Sequence, residues 1–279
     1  MDDPDVGKRD LDSTAMLFTL YHSRTSVCSA KVRLVLDEKG FPFESRLLNL
    51  MKGEQHDPDY ARLNPKEVVP TLVHDARVLV ESSLIVQYLD EVAPTPALMP
   101  AEPYARQQAR LFMKKIDDTL HAACSTVSFA AAFRKVWADR SPEELETHLA
   151  KNPDPAYRER QRLSITQGMQ APHVRDAVRN HVRYLDDMDK ALGETDYLAG
   201  PGYSLADACA TPYVSRAETI GLDCLWRERP RISAWFARMR ERPNFATAIT
   251  DWVTDDDRKR LSVDRPAVEA AVRKILEAD

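Results

Sequence analysis

Only 8 of the 279 residues are glycine, while alanine, leucine, arginine, glutamate and aspartate dominate. That balance points to a largely helical protein. Cysteine is equally sparse: Cys28, Cys124, Cys209 and Cys224 are too few and too dispersed for a disulfide framework, and a reducing cytoplasm is the compartment this implies. No apolar run approaches the ~18 residues of a membrane span. The acidic opening, MDDPDVGKRDLDS, lacks the apolar centre of a signal peptide. A formal net charge of −5, with basic residues scattered among acids, provides no phosphate-tracking stripe and so argues against a nucleic-acid partner. Neither a glycine-rich phosphate loop nor an HExxH pair occurs. His121 and Cys124 share a helix face at i, i+3, but no further ligand is spaced to join them in a metal site. Packing between helices accounts for them better.

What the chain does contain is a strand-to-helix junction at Tyr21 to Arg33, YHSRTSVCSAKVR. An apolar run from Met16 to Tyr21 predicts a strand, and Val27 to Lys39 predicts a helix closed by Gly40, with Ser26 as N-cap. Cys28 falls in the first helical turn. Unpaired backbone N–H groups and the positive end of the helix dipole favour its thiolate, and Lys31 and Arg33 push the same way. The plainer account is that Ser26 only caps and Cys28 only packs.

The order that follows is β-α-β, then β-β-α. Phe43 to Leu50 reads as a second strand, and Met51 to Asn64 as a polar segment with at most a short helix. A hairpin turns at His74 to Arg77. Ser83 to Val92 is a helix whose apolar face is Leu84, Ile85, Tyr88 and Leu89. This is a thioredoxin-like pattern. The proline-rich stretch at 94–103 is the best domain boundary, and beyond it the apolar period is 3.6 throughout. The reading is therefore a disordered tail at 1–14, a thioredoxin-like domain at 15–93, a linker at 94–103, an all-helical domain at 104–252, and a tail with a final helix at 253–279. Ser204 to Asp207 reads as a capping box at the start of a helix running to about Thr219. Pro142 suits a first helical turn, and Arg158 to Arg162 a solvated helix face.

Three features of the first domain converge. The position three residues after Cys28 is Lys31, not a second cysteine, so any redox partner must be an external thiol such as glutathione. Val69-Pro70 opens a strand; X-Pro bonds are cis in only about 5–6% of cases, yet in thioredoxin-like architectures this one is cis and presents backbone groups of the preceding residue to an extended peptide ligand. Glu81-Ser82 precedes a helix. Ser82 or Ser83 can cap it, while the same N–H groups can hold a ligand carboxylate and Glu81 a ligand ammonium.

With LYHSRTSVCSAKVRL, ARLNPKEVVPTLVHD, VESSLIVQYLDEVAPTPALMP and YLAGPGYSLADACATPYVSR in view, the chain resembles the glutathione S-transferase superfamily from Leu17 to Ile249. The Ser-x-Cys-Ser turn looks most like the zeta class (maleylacetoacetate isomerases) and the bacterial tetrachlorohydroquinone reductive dehalogenases. The long segment from Asp139 to Pro172 looks more like the dehalogenases and the β-etherases. The resemblance implies that Ser26 hydrogen-bonds the glutathione sulfur, Val69 with Pro70 holds its cysteinyl backbone, and Glu81 and Ser82 take its γ-glutamyl end. In the dehalogenase-like case Cys28 attacks a glutathionyl intermediate and ends as a mixed disulfide. The resemblance also implies a homodimer and a hydrophobic, electrophilic, aromatic second substrate. Phe112, Met113, Phe129 and Phe133 form a helical stripe that reads more readily as core than as the lining of a pocket for it. This chain departs from the zeta pattern in having Val27 for a serine and Ala30-Lys31 for Trp-Arg. Glu67 stands where relatives place a basic or polar residue for the glycyl carboxylate, leaving Lys66 for that role. Two readings stay open beside conjugation: reductive dehalogenase or β-etherase chemistry through Cys28, and a non-catalytic ligand-binding protein on the same fold.

Overall fold

The computed structural model describes residues 17–138, 140–152 and 154–278; the expected tail at 1–14 lies outside them. The chain runs β1 (Phe18–His22), α1 (Val27–Glu38), β2 (Phe43–Leu47), α2 (Pro58–Leu63), β3 (Thr71–His74), β4 (Arg77–Leu79) and α3 (Ser82–Val92). Helices follow from there: α4 (Pro103–Lys115), α5 (His121–Ser128), α6 (Lys135–Ala138), α7 (Pro142–Leu149), α8 (Pro155–Gln167), α9 (Pro172–Ala191), α10 (Leu205–Thr219), α11 (Pro230–Glu241), α12 (Pro243–Phe245), α13 (Asp255–Leu261) and α14 (Arg265–Glu277). This is a thioredoxin-like domain followed by an all-helical one.

The sheet order is β2-β1-β3-β4, with β1 parallel to β2 and the other pairs antiparallel. Phe18 and Leu20 of β1 and Leu72 of β3 meet Val32, Val35 and Leu36 of α1 in a fully buried layer. Gly40, at φ +65°, ends α1 in the left-handed conformation that a side chain would resist. On its other side α1 packs against α3 and α10. One helix thus serves both domains, and the site is built at its N-terminus.

Several local expectations are corrected. Leu84 is 61% exposed and Val86 takes its place in the core, because the face that α3 presents to its neighbours runs through Ser82, Ile85, Val86 and Leu89. Neither Ser82 nor Ser83 caps α3. Glu81 occupies the cap position at φ 67° without a side-chain cap bond, and both serines lie inside the first turn. β2 stops at Leu47, where the chain turns away from the sheet. Leu50 is instead held in a loop pinned by Asn49 and Glu54.

Asp207 reads as a folding element and behaves as one. It is fully buried, accepts from the Ser204 N–H (3.0 Å) and hydroxyl (2.8 Å), and also from the Leu198 N–H (3.0 Å) and Trp235 Nε1 (2.8 Å). Four donors on one carboxylate offset the cost of burying it. The 94–103 connector is anchored in the same way, with Asp90 accepting from the Leu98 and Met99 N–H groups and from Lys39 Nζ. α4, α5 and the two wider π-type turns at Ile116–Leu120 and Phe129–Phe133 follow one another as a single winding rod. Such turns shift the side-chain phase of a helix and collect at functional sites.

Candidate active site at the strand-to-helix turn

The turn between β1 and α1 contains no glycine, and arginines hold its shape. Arg33, only 2% exposed, donates to the carbonyls of Ser23 and Arg24 (both 3.2 Å), to His22 Nδ1 (3.0 Å) and to the Ala248 carbonyl (2.7 Å). Arg216, from α10, donates to the next carbonyl, that of Thr25. Burial, with Arg33 and Arg24 close by, pushes His22 down to about 3, so it stays neutral and accepts from Arg33. Arg33 therefore shapes the turn rather than acidifying Cys28, against expectation.

Ser26 adopts the extended N-cap conformation, and its Oγ accepts from the Ser29 N–H at 3.2 Å. Its cap role is thus realised, and the residue also lines the clefts on both sides of the turn. Cys28 points to the helical domain. Its Sγ lies 3.4 Å from His121 Nδ1 and 3.5 Å from the Tyr213 hydroxyl, and those two groups are 3.1 Å from each other. Lys31, buried one turn further along α1, donates to Ser83 Oγ (3.0 Å), which donates to Asp117 (2.8 Å); Lys31 Nζ is 3.5 Å from the same carboxylate.

Burial by itself raises a thiol pKa. Here the hydrogen bond with His121, the charges of Lys31 and His121 and the Tyr213 hydroxyl outweigh it and bring Cys28 down to about 6. The bond to Cys28 raises His121 in turn, while Tyr213 is pushed far up by burial and stays a donor. At neutral pH Cys28 is therefore held toward its thiolate, facing a His121 whose affinity for a proton the same contact raises. The sequence singled out Cys28 but missed His121, Tyr213 and Asp117. His121 had been noticed for its spacing to Cys124, and nothing local pointed it toward a residue 93 positions away.

The other half of the expected site residues flanks the starts of β3 and α3. The Val69-Pro70 bond is cis. Lys66 Nζ and Glu81 Oε1 pair at 2.6 Å, and Ser82 opens α3 beside them. Glu67, at φ 54°, turns to a hydrogen bond with His56 Nδ1. The two halves are tied through the Lys31–Ser83 bond, which fixes the start of α3 against the flank of α1.

Beside the turn opens a cleft of about 600 Å³. Phe129 and Phe133 form its apolar wall, placed there by the second π-type turn, and His121 and Ser26 lie on its floor. Phe112 and Met113 are buried in the core instead. Residues 254–260 of α13 and its cap close the far side with Asp256, Asp257 and Arg260. No group of three or more potential metal ligands occurs among the described residues.

Residues 20–97 match the family model described as glutathione S-transferase, N-terminal domain, and residues 155–243 match glutathione S-transferase, C-terminal domain. Protein LigF of Sphingobium sp. (strain NBRC 103272 / SYK-6) is 32% identical over 238 residues, 82% of this chain and 91% of the relative. The tetrachloro-p-hydroquinone reductive dehalogenase of Sphingobium chlorophenolicum is 29% identical over 247 residues, covering 82% and 94%. The crystal structure of the β-etherase LigF from Sphingobium sp. strain SYK-6 superposes with a TM-score of 0.72 at 29% identity, covering 83% of this chain and 98% of that one.

Proposed function

Because the chain belongs to the glutathione S-transferase family, we propose that it transfers glutathione to an electrophilic, hydrophobic, aromatic small molecule held against Phe129 and Phe133. The observation that carries this reading is the thiolate-stabilising turn: a helix N-terminus, the Ser26 hydroxyl and the Cys28–His121 contact, with Ser26 and His121 lining a substrate-sized cleft. In the proposal Val69 and Pro70 hold the cysteinyl backbone of glutathione, and Glu81 and Ser82 its γ-glutamyl end. Lys66 meets the glycyl carboxylate once it is released from Glu81. Ser26 supports the glutathione thiolate, which displaces the leaving group X⁻ from R–X to form R–SG.

The Cys28–His121 contact favours a second reading on the same site. After conjugation, the Cys28 thiolate attacks the sulfur of R–SG, the C–S electron pair leaves with R and takes up a proton, and a Cys28–glutathione disulfide remains. A second glutathione thiolate then releases oxidised glutathione and restores Cys28. The sum is R–X with two thiols giving R–H, HX and one disulfide.

Assay with glutathione and a generic aryl halide tests the proposal. Conjugation that is lost in Ser26→Ala and retained in Cys28→Ser supports simple transfer. A mass increase matching one glutathione on Cys28 after turnover supports the reductive route. A wild-type protein that binds immobilised glutathione yet conjugates nothing would leave a ligand-binding module.

The remaining parts of the proposal are the quaternary state, the compartment and the domain limits. Val68, Val78, Val80, Leu84 and Tyr104 are all exposed around β4, α3 and the start of α4, a patch suited to a homodimer. Four free cysteines suit a reducing cytoplasm. The boundary is placed at 94–103, with the substrate domain at 104–252 and 253–279 as an appended segment.

A further inference from the structure

Phe129 and Phe133, the apolar wall of the 600 Å³ cleft, stand at the two ends of a π-type turn. The Arg134 N–H reaches back five residues to the Phe129 carbonyl (3.0 Å), and the two rings meet at 5.3 Å and 62°. Such wide turns are rare inside helices, so this one needs support from its surroundings. The Arg134 side chain supplies it. From the end of the turn it extends to the C-terminus of α8, where Nε donates to the Ile165 carbonyl (3.1 Å) and Nη2 to the Thr166 carbonyl (3.4 Å). Both belong to the last four carbonyls of α8, which lack partners within the helix.

Gly168 follows α8 directly. It is buried, and at φ 57° and ψ −134° it occupies a backbone region that side chains resist. A Cβ there would overlap Arg134 Nη1 and lie 2.9 Å from its Cζ and 3.2 Å from the Ala130 carbonyl oxygen. The glycine is therefore needed twice, for the exit from α8 and for the space the guanidinium fills. Ala130 belongs to the π-type turn, so glycine, guanidinium and turn interlock. Lys135 Nζ ties the same end of the turn to the Ser262 carbonyl at the close of α13 (2.9 Å), but that bond is exposed and open to competition from water. Phe133 carries the constraint onward. Its ring lies 5.7 Å from the Arg216 guanidinium, which also holds the Thr25 carbonyl of the Ser26 turn.

We propose, resting on the transfer reading above, that Arg134 and Gly168 are positioning residues that lock the aromatic wall of the cleft and so set its preference for flat aromatic electrophiles. Neither residue lines the cleft; both act through Phe129 and Phe133. Loosening the lock leaves the glutathione side of the site intact but frees the two rings from the face on which a planar ring stacks. A misplacement of about 1 Å by a change far from the reacting atoms can cost up to about a hundredfold.

Steady-state kinetics of the full chain test this with glutathione and two electrophiles, 1-chloro-2,4-dinitrobenzene and the ring-free allyl isothiocyanate. Arg134→Met keeps the side-chain stem and removes the guanidinium fork. It is expected to raise the KM for the aryl halide at least fivefold. The KM for glutathione and the kcat/KM for the isothiocyanate should stay within twofold of wild type. Gly168→Ala, which displaces the guanidinium, should reproduce that pattern; should it fail to fold, Arg134→Met suffices. Equal losses on both electrophiles, or no change on the aryl halide, would each overturn the proposal. Crystal structures of the variants supply a readout independent of turnover. The Phe129 and Phe133 rings are expected to move by about 1 Å or more, and unmoved rings would overturn the lock. A wild-type protein inactive on both electrophiles would count against the transfer reading, leaving the ring positions to decide the lock.

Discussion

Cys28 and Cys209 are thiols in the same chain, on helices that pack against each other, and both feel the charge of Lys31. Burial drives Cys209 up to about 12 and, likewise, Cys124 up to about 11. Cys28 comes down to about 6. A nearby ammonium is therefore not what separates them. The separation comes from donors aimed at the sulfur: His121 and Tyr213 face Cys28, whereas Cys209 sits fully buried among alanines at the α1–α10 junction. Desolvation acts on all three thiols; at Cys124 the Arg216 charge and a Ser128 hydrogen bond do not outweigh it, and at Cys28 the combined donors and charges of His121, Lys31 and Tyr213 do.

The largest expected consequence is selectivity. At pH 7 iodoacetamide is expected to alkylate Cys28 at least ~100-fold faster than Cys124 or Cys209, since reactivity follows thiolate fraction and access. Peptide mapping against time reads this directly, and comparable rates at the three sites would erase the distinction. The rate at Cys28 is expected to hold steady above its inflection and fall as the pH drops through about 6, the sense required of an acid with a depressed pKa.

Removing the principal donor should collapse the difference. His121→Ala is expected to move that inflection upward and to lower the alkylation rate at pH 6.5 by about tenfold or more, with thiolate absorbance near 240 nm shifting alongside. An unchanged profile would show that Lys31 and the helix N-terminus suffice. Tyr213→Phe withdraws a more distant neutral donor, the last of the influences on Cys28, and should slow the same reaction by roughly two- to threefold.

The smallest effect belongs to Ser26. Ser26→Ala deletes the N-cap of α1 and should cost about 1 kcal/mol in denaturant unfolding, the usual scale for a lost cap. The Cys28 inflection should barely move, since Ser26 is not among the groups that shift it. A large shift would mean that the cap positions Cys28 after all.

Much of the molecule could be read in one dimension because its signals are local. Ser26 before an amphipathic run, Gly40 after it and the Ser204–Asp207 box each state a helix end within four residues. The reading went astray where the outcome depended on a neighbour's surface. Leu84 continued an apolar stripe by spacing, yet α3 buries Val86 instead, leaving Leu84 on an outer patch. Ser83 looked like a cap but is held by Lys31 and Asp117. Arg33 looked like a charge for Cys28 but was needed by His22, two turn residues and Ala248.

The same division runs through the site. By itself the sequence determined that a thiol and a hydroxyl stand at the start of a helix after a strand, that no second cysteine follows, and that a proline-led strand and an acidic-serine turn come next. Those are statements about short stretches of backbone, where spacing and side-chain type suffice. Which nucleophile carries charge was decided only when α1 was packed between the sheet and α10. That packing brought His121 and Tyr213, 93 and 185 residues from Cys28 in sequence, to within 3.5 Å of its sulfur. A pKa depends on distances to donors and charges in space, and those distances exist only once the two domains have closed around the helix they share.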